Sequence, residues 1–323
     1  MSRRISLSCI LFLLCAAALA QSQPSNSANK YFARGNKESE RGELDQAIAD
    51  FTRAIEISSQ PMHHPQSKDT MRAAANSFST MEEETSGVTI IDPLTAHALN
   101  GRGVALLKKG NIEQALNDFE RALRIQPNLV EAYVNRGSAR YARGDTVGAL
   151  SDFTKAIDMN PKLPAAHLDR GAALLQVGKE EEAMADLDKA IALDSKEAKA
   201  YGHRGFAWIQ RNDFDRALAD FDQAISLNSQ LPWLFEGRGC VKLVKNDLAQ
   251  AVADFDQAIA LDPGFAKAYM KRGLALLNQG KAIEALRDFE QAQVLDPNLK
   301  DRVTPMIGAA RSSPPQRILI TPE

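Results

Sequence analysis

Cysteine, aromatic residues and a dominant sign of charge are all scarce in this chain of 323 residues. Two of its three cysteines, Cys9 and Cys15, lie within the first twenty residues. If those residues are removed only Cys240 remains, and no internal disulfide can form. A free cysteine behaves as a small hydrophobe, so Cys240 is expected to be buried, with pairing between chains as the alternative. Aromatics are 6% of the residues, low for a chain built on large sheet cores. Lysine and arginine number 39 against 41 aspartates and glutamates, a net charge of -2. That balance lacks the basic footprint a nucleic-acid binder needs. The apolar run at 5–20 falls short of the roughly 20 residues of a membrane span. There is no phosphate-cradling glycine loop, serine elbow, zinc-ligand spacing or pair of catalytic carboxylates. No enzyme activity, cofactor or metal is therefore expected.

The start of the chain has its own character. Arg3 and Arg4 precede the apolar run, and Ala18-Leu19-Ala20 offers a small-x-small cleavage site. Residues 1–20 read as a secretory signal, 21–27 as a linker, and the mature chain as periplasmic or secreted. An uncleaved anchor is the alternative.

A period runs through most of the remainder. Arg-Gly pairs stand at Arg102-Gly103, Arg136-Gly137, Arg170-Gly171, Arg204-Gly205, Arg238-Gly239 and Arg272-Gly273, always 34 residues apart. Arg34-Gly35 lies two steps before the first of these. Twelve residues after each Gly comes Ala, as at Ala115 and Ala149. A large apolar residue follows four later (Phe51, Phe119, Phe153, Leu187, Phe221, Phe255, Phe289), then Ala after three more. Pro127, Pro161, Pro263 and Pro297 close four of the units. Within each unit two apolar stripes recur at a spacing near 3.6, the mark of two amphipathic helices. Small residues let the pair approach, and the Phe fills the space between. Gly-Asn and Gly-Asp pairs such as Gly110-Asn111 turn the chain between them.

This pattern resembles the tetratricopeptide repeat, with Arg in place of the Leu usual before the Gly. The resemblance implies an all-α fold, an α-solenoid in which helical hairpins stack into a right-handed superhelix. It places a first unit at 28–61 and six more over 96–299, at 96–129, 130–163, 164–197, 198–231, 232–265 and 266–299. Residues 62–95 lack the Ala-Phe-Ala core and read as an irregular insertion or a decayed unit, with a helix at most over 67–78. A capping helix is expected over 300–311, bent at Pro305, and a flexible tail over 312–323.

An Asp also keeps the beat: Asp50, Asp118, Asp152, Asp186, Asp220, Asp254 and Asp288. Seven Arg and seven Asp at fixed phase suggest a structural ladder of ion pairs. Arg102 would meet Asp118 within its unit, or Arg136 would meet Asp118 across the boundary.

Family resemblance further implies non-catalytic protein binding in a concave groove lined by the first helices. Counted from each Gly, the groove positions hold Phe32, Asn36, Asn100, Asn135, Asp169, Lys199, His203, Phe206, Trp233, Glu236, Lys267, Met270 and Lys271. Val134 and Leu168 also count among the apolar side chains available to grip a peptide or helix. Trp233 is the foremost anchor by residue type. His167 occupies a slot filled elsewhere by Tyr or another large apolar side chain, so packing accounts for it. The Lys-Asn clamp by which some relatives hold a terminal carboxylate is absent, since Phe32 stands at the Lys place beside Asn36. The partner is expected to be a protein or peptide rather than nucleic acid. The alternative is a metal-handling or enzyme-accessory protein acting through 62–95, where His63 and His64 lie near Met62 and Met71.

Overall fold

The computed structural model describes residues 26–59 and 93–312. Among them are fifteen α-helices, one short 3-10 turn and no strand. They belong to two compact units, 1–160 and 161–323.

In the first unit the helices are α1 (Asn26–Arg41), α2 (Leu44–Ser58), α3 (Pro93–Lys108), α4 (Ile112–Ile125), α5 (Val130–Ala142) and α6 (Thr146–Met159). They form the hairpins α1-α2, α3-α4 and α5-α6, with α2 packed on α3 and α4 on α5. The second unit contains α7 (Pro164–Gln176), α8 (Glu180–Leu193), α9 (Ala198–Gln210), α10 (Phe214–Leu227), α11 (Pro232–Val244), α12 (Leu248–Leu261), α13 (Ala266–Asn278), α14 (Ala282–Leu295) and α15 (Lys300–Ser312). Four hairpins stack there in order, and α15 packs on α14.

Three boundaries differ from those read in the sequence. Helix α1 begins at Asn26, inside the proposed linker. Helix α3 begins at Pro93, so 93–95 leave the irregular segment. Proline suits a first helical position because its missing N–H would have no partner there. Leu94 and Thr95 are then buried, and the Thr95 hydroxyl meets that of Ser58 at 2.7 Å. Helix α15 runs on to Ser312, through Pro305. The signal at 1–20, the rest of 62–95 with the 67–78 helix, and 313–323 lie outside the described residues.

The core follows from the repeat. Phe119 is fully buried, and a Cβ on Gly103 would come within 2.5 Å of its ring. The first helix must therefore present a bare backbone to that Phe. The turn within each hairpin needs a left-handed residue, found at Gly42, Gly110, Gly144, Gly178 and Gly280. Asn212 (φ 57°) and Asn246 (φ 62°) take this place in the other two. Asparagine is the side chain that best tolerates that region. The turn closes as a Schellman motif, with the Asn111 N–H donating to the Leu106 carbonyl at 2.9 Å.

The Arg-Asp ladder is present and lies within each hairpin. Arg102 Nε donates to Asp118 Oδ2 at 2.7 Å and its Nη2 to Oδ1 at 2.8 Å. The same two-pronged contact joins Arg34 to Asp50, Arg136 to Asp152, Arg170 to Asp186, Arg204 to Asp220, Arg238 to Asp254 and Arg272 to Asp288. The cross-boundary pairing of Arg136 with Asp118 does not occur: both oxygens of Asp118 are taken by Arg102, and Arg136 turns its Nε and Nη2 fork to Asp152. A third prong does cross the boundary, but to a different residue. Arg204, Arg238 and Arg272 each donate Nη1 to Asp188, Asp222 and Asp256 of the preceding hairpin, at 2.7, 2.6 and 2.6 Å. Arg102 reaches the Thr52 hydroxyl in the same way at 3.0 Å. Each of these arginines thus ties two helices of one hairpin together and then fastens that hairpin to its neighbour. Where His167 replaces the usual Tyr, its Nδ1 lies 2.9 Å from Asp186 and Nε2 3.1 Å from the Pro161 carbonyl, so it serves the ladder.

Candidate functional site

In the first unit the groove positions are modest. Phe32 leans on Phe51, with ring centroids 5.9 Å apart. Asn135 Nδ2 donates to the Asn100 side-chain oxygen at 2.9 Å, joining α3 to α5. Asn36 is exposed, and Val134 is buried.

The second unit has a built cleft. Phe206, Trp233, Glu236, Phe265, Lys267, Met270, Lys271 and Arg302 surround a space of about 550 Å³. On its aromatic wall the His203 ring stacks on Trp233 at 5.1 Å, and Phe206 lies nearly parallel to Trp233 at 6.0 Å. Phe206 is held in turn by an edge-on contact with the core residue Phe221 at 5.1 Å. Two glycines outside the repeated Arg-Gly pair make room for these rings. A Cβ on Gly202 would come within 2.5 Å of the Trp233 indole, and one on Gly237 within 3.0 Å of Phe206. Burial, together with the nearby Lys199 charge, lowers the His203 imidazole to about 4. At neutral pH His203 is therefore an uncharged ring.

The same cleft holds a partly buried charge cluster. Glu236 is buried and ion-paired with Lys271, whose ammonium also lies 2.8 Å from Cys240 Sγ. Burial, aided by Glu236, pushes the Cys240 thiol up to about 12 despite the opposing pull of Lys271. A thiol so held is a packing group rather than a nucleophile. The remaining cations, Lys199, Lys267 and Arg302, are exposed and form no ion pair among the described residues.

Family models described as tetratricopeptide repeat match 72–130, 103–168, 164–197 and 237–299. This chain belongs to the tetratricopeptide-repeat family. A tetratricopeptide repeat protein from Parabacteroides merdae is 21% identical with a TM-score of 0.61, over 89% of this chain and 100% of that one. The APC/C hetero-tetramer Cut9-Hcn1 is 16% identical with a TM-score of 0.64, over 90% of this chain and 57% of that one. Pseudomonas aeruginosa pilF is 19% identical with a TM-score of 0.54, over 62% of this chain and 92% of that one. These likenesses carry the fold alone. No curated protein matches the chain. Proteins of this repeat family are in general protein-interaction scaffolds, typically without catalytic activity. Among the described residues of this repeat protein, no helix is long and apolar enough to cross a membrane.

For a tetratricopeptide-repeat chain, the structure sorts the predicted groove residues into two sets. Lys199, His203, Phe206, Trp233, Lys267 and Lys271 gather around one cleft or its rim. Val134, Leu168, Glu236 and Met270 are buried, at 7, 6, 6 and 3% exposure. Val134 and Leu168, expected to grip a ligand, are buried and are not among the lining of this cleft. Glu236 and Met270 form the cleft's floor. Asp169, half-buried on α7, and the residues of the first unit are not among its lining. Sequence phase missed Phe265 and Arg302. Arg302 lies on α15, outside the repeat, and counting from the Gly does not reach it.

Proposed function

We propose that this chain is an exported, non-catalytic scaffold that holds a peptide or helix of a partner protein in its groove. The observation that carries the reading is the cleft walled by Phe206 and Trp233, two large aromatics that remain half-exposed beside unpaired lysines. The repeated Phe of the hairpins is by contrast fully buried, as at Phe119, Phe221 and Phe255. Half-exposed aromatics held rigidly from behind are the usual anchors of protein interfaces.

The test is recovery of a partner from an envelope fraction with the full chain as bait, repeated with Trp233→Ala and with Lys267→Glu. Both positions lie outside the Ala-Phe-Ala core, so the variants should fold. Loss of recovery with either variant supports the reading. Recovery unaffected by both places the binding surface elsewhere. Export rests on the character of 1–20 and is tested separately. N-terminal sequencing of the protein from fractionated cells should begin at residue 21, and a cytoplasmic protein starting at Met1 would remove that part.

A further inference from the structure

We propose that the cleft of the second unit selects an acidic segment carrying one large apolar anchor side chain. This rests on the groove reading above and names the chemistry of its occupant.

The cleft combines an apolar wall with a charge imbalance. Its one carboxylate, Glu236, is buried and its charge is met by Lys271. Lys267 and Arg302 line the cleft with it and Lys199 lies near the His203 ring, none of the three with an acidic partner among the described residues. Glu197, the carboxylate nearest Lys199 in sequence, is turned onto its own helix start and accepts from the Lys199 backbone N–H at 3.1 Å. His203 adds no charge at neutral pH. The rim is therefore positive while the floor is neutral. Elsewhere the cations near carboxylates are paired with them, in the ladder and in surface bridges such as Arg211 with Glu181 at 3.2 Å. Three unpaired cations around one apolar cleft are relieved by carboxylates from a ligand, which accept charge-assisted hydrogen bonds from ammonium and guanidinium groups. A basic segment would bring like charges together and be rejected.

The aromatic wall supplies the anchor. Trp233 is fixed by His203 and Phe206, and Gly202 and Gly237 leave room for it at positions that vary between units. A rigid wall loses little entropy when it receives a Phe or Leu side chain. Single-stranded nucleic acid also binds rings beside cations, but it stacks bases on open ring faces. Here Trp233 is already engaged by two neighbouring rings.

The experiment uses the full chain and labelled twelve-residue probes, read by fluorescence anisotropy at low salt. One probe has a central Phe flanked by four Glu. Others change those Glu to Gln, change them to Lys, or replace the Phe by Ser, and an oligo-dT serves as the nucleic-acid arm. The Glu-Phe probe should bind at least about tenfold tighter than the Gln and Ser probes, a margin expected for a few charge-assisted contacts or one buried anchor. Raised salt should shrink the advantage over the Gln probe. Lys267→Glu with Arg302→Glu should turn the preference toward the Lys probe, and both side chains are exposed, so this variant keeps its core. Equal binding of the Glu and Gln probes, both weakened by Trp233→Ala, would overturn the acidic selection and leave the groove reading standing. Tighter binding of the oligonucleotide or the Lys probe would overturn the selection as well. If no probe binds, or Trp233→Ala changes nothing, both readings fall.

Discussion

Arg238 holds two carboxylates that should differ sharply in what they contribute, and the difference tests the view of the ladder as the mechanical link within hairpins. Asp254 is 5% exposed and accepts from Arg238 Nε at 3.0 Å and Nη2 at 2.6 Å, and from Lys242 at 2.8 Å. Asp222 accepts from Nη1 of the same guanidinium at 2.6 Å but is 61% exposed. Asp254→Asn would strand two cations near the core. Breaking a buried ion pair from one side costs about 3–5 kcal/mol. Arg238 keeps some solvent and Asp222, so a cost of roughly 3 kcal/mol is expected here. Asp222→Asn removes an exposed pair and should cost under about 1 kcal/mol. Urea unfolding followed by far-UV circular dichroism measures both, and a preserved slope confirms that the surface exposed on unfolding is unchanged. Salt separates them further, since 1 M NaCl should erase the Asp222 contribution while the buried pair is screened much less. Equal costs for the two variants, or a larger one for Asp222, would refute the assignment.

Three other outcomes are expected. Phe119→Ala should destabilise the first unit by about 3–5 kcal/mol, because the ring is fully buried against Gly103, and thermal melts report it. Asn212→Gly and Asn246→Gly should each stabilise by roughly 0.5–1 kcal/mol by relieving a left-handed non-glycine residue, readable as a raised midpoint in urea. His203 titrates near 4 in the folded chain against 6.5 ordinarily, so the unfolded chain binds the extra proton first. Stability is then intact above pH 6.5 and falls as pH drops towards 4, by at most about 3 kcal/mol. A His203→Gln variant should show a flatter stability profile across that window, and an unchanged profile would contradict the shift.

The hairpins were legible because the repeat writes each structural demand seven times. A Gly beneath Phe119, an Ala on either side of that Phe and a turn residue at fixed phase each answer a steric need that recurs in every hairpin. Periodicity therefore determined the all-helical fold and the residues of the ladder without any coordinate. It did not determine the ladder's wiring. Asp118 and Asp152 lie at equal phase, and only the packed backbone shows that Arg136 reaches the second while Arg204, Arg238 and Arg272 send a third prong to Asp188, Asp222 and Asp256. The repeat also misled where it was incomplete, since Asn212 and Asn246 perform the glycine's turn and Pro93 starts a helix inside a stretch without the pattern. The cleft was the least legible part. Its residues are those that differ from unit to unit, and their burial depends on three-dimensional neighbours. Val134 and Leu168 sink between helices, Trp233 lies in the room that Gly202 leaves, and Arg302 arrives from a helix beyond the last repeat. Local sequence decides which helices form, while the facing of each variable side chain is decided by what packs against it.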